Sequence, residues 1–283
     1  MNLLSSKLFQ SAQVHPQVID WIRRVQGLGV TGFIPSSNTV RALSNFCSGM
    51  DAYGLVSKVK AINCFVPDNI TASFTPLYAT YGSSSWNNVG FVPADLTING
   101  LKGASGKYLQ TGLRPSVVMP NTASGGLSVY VTEGNNAGAI ELGSIGSSYT
   151  VNTLALYVDW TNGISYFDCY GSVGGRVFGD NTLWNGFISG NRYARTASFI
   201  ARGGSQSYGM QKLAEVSTAS DQGLNTYQIY CMTAPLLAVP QAAYYSTKRI
   251  SFAAIHEGYT PAQCRDFFEL VHTMRQEIGG GYA

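Results

Sequence analysis

Asn162-Gly163 stands between two runs of strict alternation, and this constrains the fold more than any other feature of the chain. Leu154, Leu156, Val158 and Trp160 alternate with Ala155, Tyr157 and Asp159. After the pair, Ile164, Tyr166 and Asp168 alternate with Ser165, Phe167 and Cys169. Asn-Gly readily adopts the positive φ of a type I′ turn, whose twist matches two antiparallel strands. A period of two on both sides places one set of side chains in a core and the other outside it. Further strands are expected over Val59–Val66, Leu127–Glu133, Arg195–Arg202, Met210–Val216, Asn225–Met232 and Arg249–Ile255. Short strands at such spacing build a sandwich or barrel. No internal repeat of solenoid length is visible.

Helical spacing occurs only at the two ends. Val18, Ile19, Ile22 and Val25 form one stripe, between Pro16 and Gly27. Val40, Leu43, Phe46, Cys47 and Met50 form a second, begun after Ser36 or Ser37 and stopped at Gly54. This αα-hairpin is too small to stand alone, so its stripes are expected to pack on the sandwich or on a neighbouring chain. At the far end a strand closes at Gly258. Thr260 then offers an N-cap with Pro261 at the first helical position, where the missing N–H costs nothing. Phe267, Phe268, Val271, Met274, Arg275 and Ile278 form the stripe that follows. The expected organisation is an arm and helical hairpin over 1–57, then a sandwich over 58–283 closed by a helix over 260–278.

Composition narrows the surface and the partners. Only 12% of the 283 residues are charged, while 32 are Gly and 17 are Tyr. That charged share is about half the ordinary one. A surface made of Ser, Thr, Asn, Gly and Tyr suits β-faces, and suits a protein that neighbours cover in an assembly. The net charge of +3 is scattered. Arg192, Arg195 and Arg202 do not make a phosphate-tracking stripe, so no nucleic-acid partner is expected. No apolar run approaches the ~20 residues of a membrane helix, and the first residues lack the order of a signal peptide, so no membrane insertion is expected. The five cysteines, Cys47, Cys64, Cys169, Cys231 and Cys264, include no C-x-x-C. Reduced, buried thiols are expected, consistent with folding in a cytosol.

Several segments, in their order, resemble the phage-encoded laminin-G-like or concanavalin A-like jelly-roll proteins of tailed-phage virions. They are Met50–Lys58 at a helix-to-strand join, Pro76-Leu77, Leu101–Leu113 with its Lys107-Tyr108-Leu109 and Thr111-Gly112, Leu127–Tyr130, and the closing strand–Gly258-Tyr259-Thr260-Pro261–helix. The resemblance implies a mainly β, concanavalin A-like jelly-roll sandwich. It implies a role in a virion assembled in the host cytoplasm, among other virion proteins and as a homo-oligomer, with a trimer in keeping with the family; a structural, non-enzymatic role is expected from the scarcity of acids and the lack of an aligned carboxylate pair. Two roles compete. One is a fibre, tail or surface component that recognises host glycan or receptor; the other is capsid decoration. An alternative of another class is a glycan-cleaving enzyme. The fold alone decides none of these.

A glycosidase needs two carboxylates about 5–9.5 Å apart. No two glutamates within a strand show acid–x–acid spacing. Asp159 and Asp168 are the pair that faces each other if the hairpin is regular, with strand-surface or turn residues as the plainer account. His15, His256 and His272 lie in an N-terminal segment, a loop and a helix, with no partner set for a metal or a Ser-His-Asp site. Laminin-G-like modules hold calcium with carboxylates and backbone oxygens; Asp95, Asp180 and Asp221 lie in loop-like contexts without clustering, so calcium lacks support and neither a metal nor a cofactor is expected. Gly103–Lys107 lacks the ending of a phosphate loop and reads as a tight turn. Glycan binding has more support. Trp86-Asn87 and Trp184-Asn185 each set an aromatic platform beside an amide. A plug of the sandwich end or a subunit contact is the better-supported account of each tryptophan, because buried aromatics dominate cores and interfaces.

Overall fold

The structure, a computed structural model, describes residues 14–280 except 82–84, 135–137, 147–150, 162, 172–175, 183–184, 205–206, 219–221, 237–238 and 241–243. Two antiparallel sheets pack face to face as a jelly-roll sandwich. The first, sheet A, contains β1 (Val59–Asn63), β2 (Tyr78–Ala79), β4 (Leu96–Thr97), β5 (Gly100–Lys102), β7 (Gly125–Glu133), β12 (Gly186–Ala194), β13 (Ala197–Gly204), β14 (Ser207–Val216) and β18 (Arg249–His256). Its main order is β14-β13-β12-β7-β18-β1-β2. Sheet B contains β3 (Asn87–Val89), β6 (Tyr108–Gln110), β8 (Leu142–Ser144), β9 (Val151–Thr161), β10 (Ile164–Gly171), β11 (Arg176–Asp180) and β15 (Tyr230–Cys231), ordered β11-β10-β9-β8-β15-β6-β3. A short ribbon, β16 (Pro235–Leu236) with β17 (Val239–Pro240), lies beside β8.

The alternation becomes two separate cores. Between the sheets lie Leu127, Val129 and Val131 of β7, Leu154, Leu156 and Val158 of β9, and Phe167 and Cys169 of β10. The other side of sheet A is covered by helices: α1 (Pro16–Gly27), α2 (Ser37–Ala52) and α5 (Pro261–Ile278). Short helices α3 (Ile70–Phe74) and α4 (Pro115–Val118) lie in connections. Val18, Val25, Leu43, Phe46 and Met50 pack with Phe187, Phe252 and Phe267 in this second core, so both hairpin stripes are covered by the chain itself. Trp21, which the helical stripe did not include, is also buried there, and its indole N–H donates to the Thr75 carbonyl.

The helix ends obey their local chemistry. Ser36 accepts from the Thr39 N–H. Thr260 and Gln263 form a reciprocal capping box around Pro261. The whole expected stripe of α5 is buried, Arg275 included, whose guanidinium donates to the carbonyls of Cys64 and Ile98. Gly258 is required by close approach: a Cβ there would stand 1.7 Å from the Arg192 carbonyl oxygen. Gly258→Ala is therefore expected to cost about 2–3 kcal/mol by overpacking. A lowered denaturant midpoint with unchanged m-value is the readout; an unshifted midpoint would contradict the packing.

Several expectations need correction. β12, a nine-residue central strand, was not foreseen. Its Ser189 and Asn191 look like loop residues, but they lie buried beneath α5 in a polar chain. Asn191 donates to Ser189, and Ser189 and Ser128 share a hydrogen bond, as do Ser128 and the His256 Nε2. His256 is therefore the last residue of β18, not a loop residue. The strand over Asn225–Met232 shrinks to Tyr230–Cys231, and Asn87–Val89 forms a further short strand. All five cysteines are free and buried, and burial pushes the thiols of Cys47 and Cys264 up to about 12.

Candidate binding face

Helices cover sheet A, whereas the outer side of sheet B is covered over its middle by the segment around Ala234, Pro235 and Tyr244 and is faced elsewhere by its own side chains. Strand alternation settles which ones. Leu109 and Cys231 point into the sandwich core, so their neighbours Tyr108, Gln110 and Tyr230 point outward. Asn87 pairs with Gln110, and Val89 with Tyr108. The result is an amide–tyrosine cluster. The rings of Tyr108 and Tyr230 stack with centroids 5.2 Å apart and planes at 19°. The Asn87 amide donates to Gln110 at 2.9 Å, and Gln110 donates to the Tyr230 hydroxyl at 3.3 Å. Tyr245 approaches Tyr108 at 6.1 Å. Burial, and then the neighbouring Tyr108, push the Tyr230 phenol above its ordinary range, so it remains a neutral donor and acceptor.

A second aromatic cluster occupies β9, β10 and β11 of the same face. Tyr166 stacks on Phe178 at 5.6 Å, and Tyr157 meets Tyr166 and Trp160 edge to face. Trp160 was expected to share a face with Leu154, Leu156 and Val158. A register shift between the Ile164–Thr161 and Tyr166–Tyr157 pairs turns it instead toward Tyr244, 5.5 Å away. Arg176 lies over the rings of Tyr166 and Tyr157, 5.0 and 5.9 Å from their centroids. Phe178 is 58% exposed.

The expected site residues scatter. Trp86, at 2% exposure, sits in the sandwich core with Phe65 edge-on at 6.1 Å. This corrects its reading as a sugar platform or subunit contact, because the chain itself covers the ring. It fits the expected plug of the sandwich. Asn87 points the opposite way, onto the open face, where its aromatic partners are tyrosines distant in sequence. Trp184 lies outside the described residues. Asn185 precedes β12 in sheet A, with a buried side-chain oxygen that has no partner among the described residues, and it takes no part in the face.

The proposed acid pair also separates. Asp168 is opposite Ala155, not Asp159. It is fully buried and held by Arg176 through two hydrogen bonds of 2.6 Å. These bonds keep the guanidinium above its ordinary range. Burial, and then the charge of Asp168, push the Tyr157 phenol well up. Asp159 accepts from the Gly163 N–H that closes the hairpin. Neither aspartate is a surface residue, so replacing both is not the mild change expected of a surface site. Asp95 pairs with Lys107, Asp180 accepts from the Thr182 N–H, and Asp221 lies outside the described residues. Among the described residues, no three His, Cys, Asp or Glu side chains converge as metal ligands. Among the same residues, no helix is long and apolar enough to cross a membrane.

The class defined by these features is a mainly β sandwich, with helices behind one sheet and an aromatic–amide face on the other. No protein-family model matches the chain, and no curated protein matches it. Among solved structures, mouse laminin α1 chain domains LG4-5 are similar over 64% of this chain and 43% of theirs, at 12% identity and a TM-score of 0.34. The enzymatically active domain of tailspike protein 2 from bacteriophage CBA120 is similar over 67% of this chain and 30% of its own, at 12% identity and TM-score 0.38. The full-length tailspike protein 2 of an Escherichia coli O157:H7 bacteriophage matches over 67% and 27%, at 13% identity and TM-score 0.38. The chain thus spans less than half the length of each.

Proposed function

We propose that the chain is a non-enzymatic surface, fibre or tail component of a tailed-phage virion that holds host glycan on the outer face of sheet B. The virion setting rests on the sequence resemblance and on the charge-poor, Tyr-rich composition. The same resemblance supports a homo-oligomer, a trimer in keeping with the family, assembled with other virion proteins. The glycan reading rests on one observation: the half-buried Tyr108 ring, backed by the buried Tyr230 ring stacked on it, stands beside the Asn87–Gln110 amide chain on the outer side of sheet B. Flat rings take the apolar side of a sugar, and amides exchange hydrogen bonds with its hydroxyls. The non-enzymatic reading is supported by the occupation of the acids: Arg176 neutralises Asp168, and Lys248 neutralises Glu141.

Tyr108→Ala and Asn87→Ala are each expected to weaken adsorption to host cells about tenfold or more, the effect of a contact worth about 1.4 kcal/mol, with the fold intact by circular dichroism. Unchanged adsorption would overturn the assignment of the face. Release of sugar from host polysaccharide by the purified protein would overturn the non-enzymatic reading. Lost association between copies with intact adsorption would favour capsid decoration.

A further inference from the structure

We propose that the two aromatic clusters are the ends of one extended row of subsites for an uncharged polysaccharide, an inference that rests on the glycan reading above. Ring follows ring across the face. Phe178 is 5.6 Å from Tyr166 and Trp160 is 5.5 Å from Tyr244, and the buried Tyr157 ring beneath them links Tyr166 at 6.3 Å to Trp160 at 5.1 Å. The next residue along the chain, Tyr245, is 6.1 Å from Tyr108, which is 5.2 Å from Tyr230. Tyr244 and Tyr245 carry the row over the middle of the sheet, where Ile140, Ile145, Tyr157 and Ala234 form a small apolar cluster beneath. The row runs from β11 to β6, five strand spacings of about 4.8 Å, so it crosses about 24 Å. That reach exceeds any single sugar and fits a chain molecule.

Charge selects the kind of chain. The seven strands of sheet B contain four charged residues: Asp159, Asp168, Asp180 and Arg176. Three carboxylates face one guanidinium, and Asp168 already holds both arms of that guanidinium. A polymer of sialic or uronic acids finds no spare cation on these strands and meets the exposed Asp180, whereas a neutral glycan needs only ring faces and hydrogen bonds.

The experiment titrates the full chain with neutral oligosaccharides from disaccharide to octasaccharide, and with the acidic polymers hyaluronan and polysialic acid. The variants are Phe178→Ala at one end and Tyr108→Ala at the other; Phe178 is exposed, so its loss leaves the core intact. Affinity is expected to rise with length. Each variant is expected to lose about tenfold on the octasaccharide, while a disaccharide registers only one of the two. Affinity that is flat beyond the disaccharide, or a preference for the acidic polymers, overturns the extended neutral row and leaves the glycan reading standing. Failure to bind any glycan overturns both.

Discussion

Lys248→Met is expected to destabilise the protein by about 3–5 kcal/mol, a large part of the total stability of a domain. Lys248 and Glu141 are both fully buried and meet at 2.9 Å. The Glu141 carboxylate also accepts from the Val158 N–H at 2.7 Å and from Ser246 at 3.2 Å. Removing the ammonium leaves a charge in a dry interior with two neutral donors, and the cost is chiefly that stranded charge. Glu141→Gln with Lys248→Met removes the charge and keeps an acceptor for Val158, so the double variant is expected to regain most of the loss. Urea titration of the three proteins tests this. A double variant no better than the single one would show that packing, not charge, dominates. The pair also matters for the face. Ser246 and Lys248 follow directly on Tyr244-Tyr245, so a loosened anchor is expected to weaken glycan binding in parallel.

Full acidification is expected to remove on the order of 5 kcal/mol through His256 alone. Burial pushes this imidazole down to about 3; the hydrogen bond with the Glu257 carbonyl opposes the shift, and the Lys58 charge adds to it. Ser128 donates to the unprotonated Nε2, and Tyr259 stacks on the ring at 4.3 Å. The unfolded chain takes up a proton near the ordinary value of 6.5, whereas the folded one does not until about 3. The contribution is thus complete above about 6.5 and falls away as pH drops through that window, by up to about 1.4 kcal/mol per pH unit. Glu133 and Glu215, held below the ordinary carboxylate range by hydrogen bonds from Lys102 and Lys212, act in the same direction at lower pH. Comparison with His256→Gln isolates the histidine: the variant is expected to start less stable and to show a shallower decline between pH 6 and pH 4, a window set by these two values. Parallel slopes would exclude His256 as the source.

The parts of the fold that were legible in the sequence are those that local chemistry decides. Thr260-Pro261 caps a helix wherever it lands, and the runs around Asn162-Gly163 pair through either neighbour. β12 was hidden because its polar residues face a buried hydrogen-bond chain rather than water; Ser189 and Asn191 make sense only once α5 covers them. The candidate face was half legible. Asn87 belongs to it, but adjacent strand residues point to opposite sides, so the amide and Trp86 part company. The rings that do join Asn87 come from β6, β15 and the segment before β18. A signal was present nonetheless. In Tyr108-Leu109-Gln110, Tyr166-Phe167-Asp168 and Tyr230-Cys231, tyrosine takes the place that a charged residue would hold on an ordinary water-facing strand.

The placement of the termini of the sandwich has a mechanical consequence. Val59 at the start of β1 lies opposite His256 at the end of β18, the neighbouring antiparallel strand. The helical segments before and after them lie on the side of sheet A away from sheet B. Tension between the two ends, once past the helices, would peel β1 from β18 rung by rung instead of shearing them together. Sheet B lies off that line of force. A grip on the outer surface would therefore outlast the opening of the layer that anchors it.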